Sequence, residues 1–151
     1  MASWDDLVLY VRMRYEVMRQ AEGELWFNLP TVGERTQLVV VRRVTEPARS
    51  PIPPSTEPAR SPTPLSTAED GHLWAQIASP VCRVADVDLA HLLDLAGQSV
   101  VGGAVAVDGV VVFRHSVPLH DTGLAAFERP FRLVVEVADR LEEELTGADE
   151  H

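Results

Sequence analysis

The chain has 151 residues, of which 46% are hydrophobic and 24% are charged, an ordinary composition for one soluble domain with its own core. Its formal net charge of −10 repels nucleic acid and anionic membrane surfaces, so we expect neither as a partner. The single cysteine, Cys82, excludes an internal disulfide bond and a cysteine-based zinc site.

The N-terminal segment is predicted to form a long amphipathic helix. Ser3 is a suitable N-cap, Asp6 follows three residues later, and Gly23 would end the helix. One apolar stripe at helical spacing contains Trp4, Leu7, Val8, Val11, Tyr15 and Met18. A second stripe, on a different side, contains Leu9, Tyr10, Met13 and Val17. The helix therefore has more apolar surface than one core contact requires.

Two strands are predicted next, Leu25–Leu29 and Gln37–Val44, with a turn at Val32–Arg35 between them. The second strand contains Leu38–Val41, which is apolar on both faces of the predicted sheet. Such a strand needs cover from both sides.

A proline-rich stretch then interrupts the pattern from 45 to 68. Residues 45–55 and 56–66 are two copies of one 11-residue unit that differ at two positions. Proline at this density cannot hold a strand ladder or a helix. We interpret the stretch as a disordered surface insert, and a ligand for a proline-binding domain is the alternative.

The pattern resumes with a strand over His72–Ala78, which Pro80 ends. Asp86 is predicted to cap a short helix that contains Leu89, Leu92, Leu93 and Ala96. Asp108-Gly109 is a strong signal for a two-residue hairpin turn. That turn would pair Val107 with Val110, Val105 with Val112, and Ala104 with Phe113.

The last helix is indicated by apolar residues in alternating steps of three and four. They are Leu124, Phe127, Phe131, Val134, Ala138, Leu141 and Leu145. Pro130 lies within this pattern, so the regular helix either starts there or is kinked there.

The resulting order is α-β-β-β-α-β-β-α, which predicts an α+β fold with a five-stranded antiparallel sheet packed with helices. We expect a single domain over residues 1–146, interrupted by the insert at 45–68 and followed by a frayed tail at 147–151. The sequence shows no secretory signal at its start and no apolar run near the roughly 20 residues that span a bilayer. A cytoplasmic location is therefore expected.

This order and the closing sequence resemble the type III secretion chaperone-like (CesT-type) fold, and within it the YbjN family. Two stretches carry the resemblance. The first is Ala-Val-Asp-Gly-Val-Val-Val-Phe-Arg-His-Ser-Val-Pro-Leu, at 106–119, and the second is Val-Ala-Asp-Arg-Leu-Glu-Glu-Glu-Leu, at 137–145. The resemblance implies an antiparallel sheet packed on helices, usually in a homodimer, that binds extended segments of client proteins without a cofactor.

Few residues suggest chemistry. His115, His120 and Asp121 come nearest to a metal site, but their spacing matches no known ligand pattern, and we interpret them as surface residues after a strand. We therefore predict no catalytic residues, no metal and no cofactor, and keep a small histidine-dependent enzyme as a remote alternative. Cys82 is interpreted as a buried, inert thiol.

The glycine pair at 102–103 and the glutamate run at 142–144 each have a simple structural interpretation. Gly102 and Gly103 lack a phosphate-loop pattern, so they are expected to permit a bulge or a close approach of strands. The run Glu142–Glu144 is interpreted as a solvated helix face, with a docking patch for a basic partner as the alternative.

The apolar surplus points to protein binding. Leu38–Val41 and Val110–Phe113 are apolar on both faces, so a second subunit or a client is expected to cover what the helices leave exposed. For the dimer contact we predict Leu89, Leu92, Leu93, Val105 and Val112. For client binding we predict Leu9, Tyr10, Met13, Val17, Trp26 and Trp74. Core packing in a well-covered monomer is the alternative for each residue.

The sequence thus predicts a non-catalytic module that captures an extended apolar segment of a client protein, with strand addition as a further contact. The alternative is a self-associating regulatory or scaffolding domain that has no client groove.

Overall fold

The computed structural model describes residues 2–46, 72–119 and 123–146. The elements in these ranges are α1 (Trp4–Arg14), β1 (Val17–Ala21), β2 (Glu24–Pro30), β3 (Thr36–Thr45), β4 (Leu73–Arg83), a 3-10 turn (Val84–Asp86), α2 (Leu89–Ala96), β5 (Gly103–Val107), β6 (Val110–Pro118) and α3 (Ala125–Thr146). The predictions for His120, Asp121, the tail at 147–151 and the insert from residue 47 onward lie outside the described residues.

The described strands form one antiparallel sheet of six strands in the order β1-β2-β3-β4-β6-β5. The α+β class with an antiparallel sheet and packed helices is therefore confirmed, whereas the predicted number of five strands is wrong. The additional strand is β1, which lies in the segment that was predicted to continue the first helix.

The first helix begins as predicted and ends early. Ser3 and Asp6 form a reciprocal capping box, in which the Asp6 amide donates to Ser3 Oγ at 3.1 Å and the Ser3 amide donates to Asp6 Oδ2 at 2.9 Å. The helix stops at Arg14, because Tyr15 is already extended (φ −135°, ψ 149°). Gly23 (φ +71°) lies in the turn that joins β1 to β2, where Ala21 pairs with Glu24. The backbone N–H and C=O groups of residues 17–21 form their hydrogen bonds with β2, and the helix therefore does not continue through them.

The β5–β6 hairpin forms in the predicted register. Val107 pairs with Val110 across the turn, and the two other predicted pairs, Val105–Val112 and Ala104–Phe113, are also present. Asp108 (φ +49°) and Gly109 (φ +79°) both adopt the left-handed conformation that a two-residue turn of this kind needs.

A close approach of backbone explains one of the two adjacent glycines. Gly102 has φ +72°, and a Cβ atom added to it would lie 2.6 Å from the backbone oxygen of Arg114 and 3.0 Å from the Phe113 ring. Its amide donates to Nδ1 of His115 at 3.0 Å. At Gly103 an added Cβ would meet nothing within 4 Å. The predicted close approach is thus present at Gly102.

We expect Gly102→Ala to lower the free energy of unfolding by about 2 to 3 kcal/mol, because alanine is strained at this φ and its Cβ collides with rigid backbone. The neighbouring Gly103→Ala is the matched control and should change it by less than about 1 kcal/mol. Urea unfolding of the two variants checks this, and equal losses at both positions would contradict the close approach.

One face of the sheet forms the hydrophobic core together with the helices. This core contains residues of α1, α2 and α3 with alternate residues of the strands, among them Phe27, Val41 and Ile77. Four aromatic rings meet at its centre: Tyr15, Phe27, Phe127 and Phe131. The long helix α3 begins at Ala125, so Pro130 lies in its second turn rather than at its start.

Candidate protein-binding surface

The second face of the sheet is the main candidate surface. Its side chains alternate with those that face the core. Val40 and Ala78 are only 7% and 8% exposed, yet neither belongs to the hydrophobic core that the helices share. We call this side the open face. It comprises Arg19, Glu24, Trp26, Asn28, Leu38, Val40, Arg42, Val44, Trp74, Gln76, Ala78, Pro80, Arg83, Gly103, Val105, Val107, Val110, Val112, Arg114, Ser116 and Pro118.

Strand register places the apolar residues of the open face side by side. Pro80 of β4 lies opposite Val112 of β6, which lies opposite Val105 of β5. Val40 lies opposite Ala78 one step further along β3 and β4. The outcome is an apolar patch over the centre and the β5 side of the sheet, in which Pro80, Val105 and Val112 are half-buried and Val40 and Ala78 are nearly buried. Such a patch is typical of an interaction surface.

The charged residues on the β1 and β2 side of the open face contact one another and Trp26. Glu24 accepts a hydrogen bond from Nε of Arg42 at 2.8 Å and one from the Trp26 indole at 3.1 Å. The Trp26 bond is the main reason that the pKa of Glu24 lies below its usual value. The guanidinium of Arg19 lies over the Trp26 ring, 5.6 Å from its centroid. These contacts hold Trp26 in place on the face.

The six residues predicted for client binding do not form one surface. Trp26 and Trp74 both lie on the open face and are partly exposed. Leu9 and Met13 are exposed, Met13 by 87%, but they project from α1, whose buried residues pack on the other face of the sheet. Val17 is part of β1 and packs against the core. The structure therefore separates the α1 stripe from the two tryptophans.

Tyr10, the remaining predicted client residue, is held by contacts within the chain. Its hydroxyl donates to Glu128 of α3 at 3.3 Å, and the guanidinium of Arg14 lies 4.7 Å from its ring centroid. Glu128 also accepts from the hydroxyl of Tyr15 and from Nε of Arg132. Burial raises the pKa of Glu128, but these hydrogen bonds lower it by more, so its net pKa lies below the usual value. The cluster fastens the end of α1 to the start of α3.

The predicted dimer residues divide into three groups. Leu92 is 2% exposed and belongs to the core. Leu89 and Leu93 lie one helical turn apart on α2 and are exposed, Leu93 by 61%. Val105 and Val112 pair on the open face. Since α2 packs against β5, the two exposed leucines and the two valines are at the same end of the sheet.

A groove of about 1110 Å³ runs along α3 on the side of the helices. The exposed residues Val32 and Val100 lie at its borders, in the β2–β3 and α2–β5 connections. Arg35 fastens the first of these connections to α3, since it donates to Asp139 Oδ1 at 2.8 Å and pairs with Glu143 at 3.0 Å. No periodic pattern of apolar residues predicts this groove, because connections rather than helices or strands form its borders.

A smaller cleft, of about 410 Å³, lies where β3 and β4 diverge. Their backbone pairing ends at Val40 and Ala78, and side chains take over beyond that point. Gln37 Nε2 donates to Ser79 Oγ and to the Pro80 carbonyl, both at 2.8 Å, while Ser79 Oγ donates to the Leu38 carbonyl at 2.6 Å. These bonds connect two strand segments that do not pair directly.

Two potentially reactive side chains, Cys82 and His115, have their pKa values shifted by burial. Burial, followed by the nearby carboxylates of Asp86 and Glu142, raises the pKa of the Cys82 thiol, which disfavours the nucleophilic thiolate. His115 uses Nδ1 to accept the Gly102 amide, and burial lowers its pKa. No group of three or more histidine, cysteine or acidic side chains suitable for a metal occurs within residues 2–46, 72–119 and 123–146.

The helices of the described ranges include none with the length and apolarity needed to cross a membrane. No family model matches the chain, and no curated protein matches it.

Among solved structures, the chain is similar to a chain of the HopA1-SchA chaperone–effector complex. The match has a TM-score of 0.53 and 12% sequence identity, and it covers 92% of this chain and 89% of that one. At this level of identity the likeness concerns the fold. The predicted chaperone-like α+β fold is therefore confirmed.

Proposed function

We propose that the chain is a non-catalytic protein-binding module that holds an extended apolar segment of a client protein on its open face. The observation that carries the proposal is the apolar patch around Val112, which the three helices do not cover. The chaperone-like fold supports the same function, because that fold occurs in a chaperone–effector complex. We further propose a cytoplasmic protein of the YbjN type that needs no cofactor.

The open face and the free sheet edges suit an extended segment. The edge strands are β1 and β5, each with one strand neighbour in the described part of the chain. An edge strand presents unpaired backbone groups that can add a strand from a partner. Apolar contact with the face and backbone pairing at β5 could therefore act on one client segment together.

We also propose that the chain forms a homodimer through α2 at the β5 end of the molecule, with Leu89 and Leu93 in the contact. Val105 and Val112, which were predicted for the same contact, lie in the apolar patch that we assign to the client. Leu92 was also predicted for the dimer contact, but we exclude it from the proposal because its side chain is part of the hydrophobic core. Exposed leucines on a helix beside a half-exposed sheet edge are an apolar area that a second copy would remove from water.

Light scattering of the purified protein should give twice the chain mass of 16.6 kDa. Leu93→Asp should give the monomer mass at micromolar concentration, because a charge would be buried without a partner in the contact. Met18→Asp is the matched control, since Met18 is equally exposed at 62% but belongs to β1 at the opposite edge of the sheet. A monomeric wild type, or a dimer that survives Leu93→Asp, would overturn this contact.

The exposed leucines of α2 also favour the second candidate function, a self-associating regulatory or scaffolding domain without a client groove. Recovery of the native protein distinguishes the two functions. A client-binding module should purify from its host with a stoichiometric second protein, whereas the scaffolding domain should be recovered as the dimer alone.

A further inference from the structure

The charge of the open face differs in sign from the charge of the whole chain. Its strand residues include four arginines and one glutamate, at Arg19, Arg42, Arg83, Arg114 and Glu24. The chain as a whole carries a formal net charge of −10. Complementary charge steers a partner to a surface and selects among partners. A positive face on an acidic protein therefore favours a partner segment that carries carboxylates.

Arg114 is the arginine best placed to meet such a carboxylate. Arg42 is paired with Glu24, and Arg19 lies over the Trp26 ring. Neither Arg83 nor Arg114 has an ion-pair partner within the described ranges 2–46, 72–119 and 123–146, and of the two only Arg114 is on the same strand as Val112. The register neighbours of Arg114 are both small, Ala78 on β4 and Gly103 on β5.

Arg114 is half-buried beside the apolar patch. The Cβ position of Gly103 has open space around it, so no side chain at this position of β5 covers Arg114. Two residues before Arg114 on the same strand is Val112, which lies between Pro80 and Val105. An apolar site and a cationic site are thus about 7 Å apart along one strand. This spacing equals the distance between alternate side chains of an extended segment.

We propose that the open face takes an extended client segment that carries an apolar residue and a carboxylate two positions apart, so that both project from the same side of the segment, with the carboxylate on Arg114. This inference rests on the proposed function and adds the chemistry of the client. A second copy of the chain is disfavoured on this face, because two open faces would bring arginines together. A purely apolar segment would leave Arg114 without a partner.

Two synthetic peptides of equal apolar content test the proposal: capped Ser-Val-Ser-Glu-Ser-Val-Ser and capped Ser-Val-Ser-Lys-Ser-Val-Ser, in which the valines and the charged residue are two positions apart and share one side of the extended chain. Each is titrated into the full chain and followed by NMR of the valine methyl groups. The glutamate peptide should bind about fivefold or more tightly than the lysine peptide at low salt, and the difference should shrink as salt is added. Arg114→Gln should remove most of the difference. The control variant Arg12→Gln, at an exposed position of α1, should leave the difference between the two peptides unchanged.

The outcomes separate this inference from the proposed function. Equal binding of both peptides to the open face would overturn the carboxylate preference and leave the protein-binding function standing. A preference that persists in Arg114→Gln would overturn the role of Arg114. If neither peptide shifts a methyl group of the open face, the proposed function itself is contradicted.

Discussion

Phe131→Ala is expected to lower the free energy of unfolding by about 3 to 5 kcal/mol, the usual cost of removing a fully buried phenylalanine ring. Phe131 has no exposed surface. Its ring centroid lies 5.1 Å from that of Tyr15, 5.2 Å from Phe127 and 5.8 Å from Phe27. The side chain therefore joins α3 to β2 and to the end of α1, and alanine leaves a cavity between all three.

Urea unfolding at fixed protein concentration measures this loss. Because domains of this size are stable by only about 5 to 15 kcal/mol, Phe131→Leu is a second variant that keeps most of the volume and should stay folded. Arg129→Ala, at an exposed position of the same helix, is the control and should change stability by less than about 0.5 kcal/mol. A loss of under about 1 kcal/mol in Phe131→Ala would mean that the aromatic cluster is not packed as described.

Val112→Asp is expected to weaken client binding by about 30-fold or more, which corresponds to the loss of one strong contact of about 2 kcal/mol. Val112 lies at the centre of the apolar patch, between Pro80 and Val105. An aspartate there would bring a charge into the interface without a bound partner, or would occupy Arg114 two residues away. Either effect removes the site that the client needs.

The loss must come from the surface and not from unfolding. Val112 is only partly buried, so Val112→Asp should retain the circular dichroism spectrum and a cooperative unfolding transition. Val112→Ala removes apolar area without adding charge and should weaken binding by a smaller factor. The graded order of the wild type, alanine and aspartate is the expected result.

Local signals predicted the parts of the fold in which neighbouring residues decide the conformation. The Ser3–Asp6 capping box starts α1, and Asp108-Gly109 sets the hairpin register, because both depend on residues within a few positions. The end of α1 was mispredicted because Tyr15 and Met18 continue the helical spacing of apolar residues. Pairing with β2, which a helical pattern does not report, decides that 17–21 is a strand.

The candidate surface was predicted only in part, for a similar reason. Trp26 and Trp74, which were both predicted for client binding, do share the open face. Which face the helices cover is decided by the packing of α1 and α3, and the sequence pattern of α1 contains no information on that choice. The stripe of Leu9 and Met13 was therefore grouped with residues from the opposite side of the sheet.

The affinity of the purified client for three forms of the chain, measured by calorimetry, tests the open face most directly. The forms are the wild type, Val112→Asp and Met13→Asp; Met13 is exposed on α1, away from the open face. Binding should weaken by about 30-fold or more in Val112→Asp and remain within about twofold of the wild type in Met13→Asp, as for a surface position outside an interface. Binding that survives Val112→Asp but is lost in Met13→Asp would place the client on the α1 stripe and contradict the account.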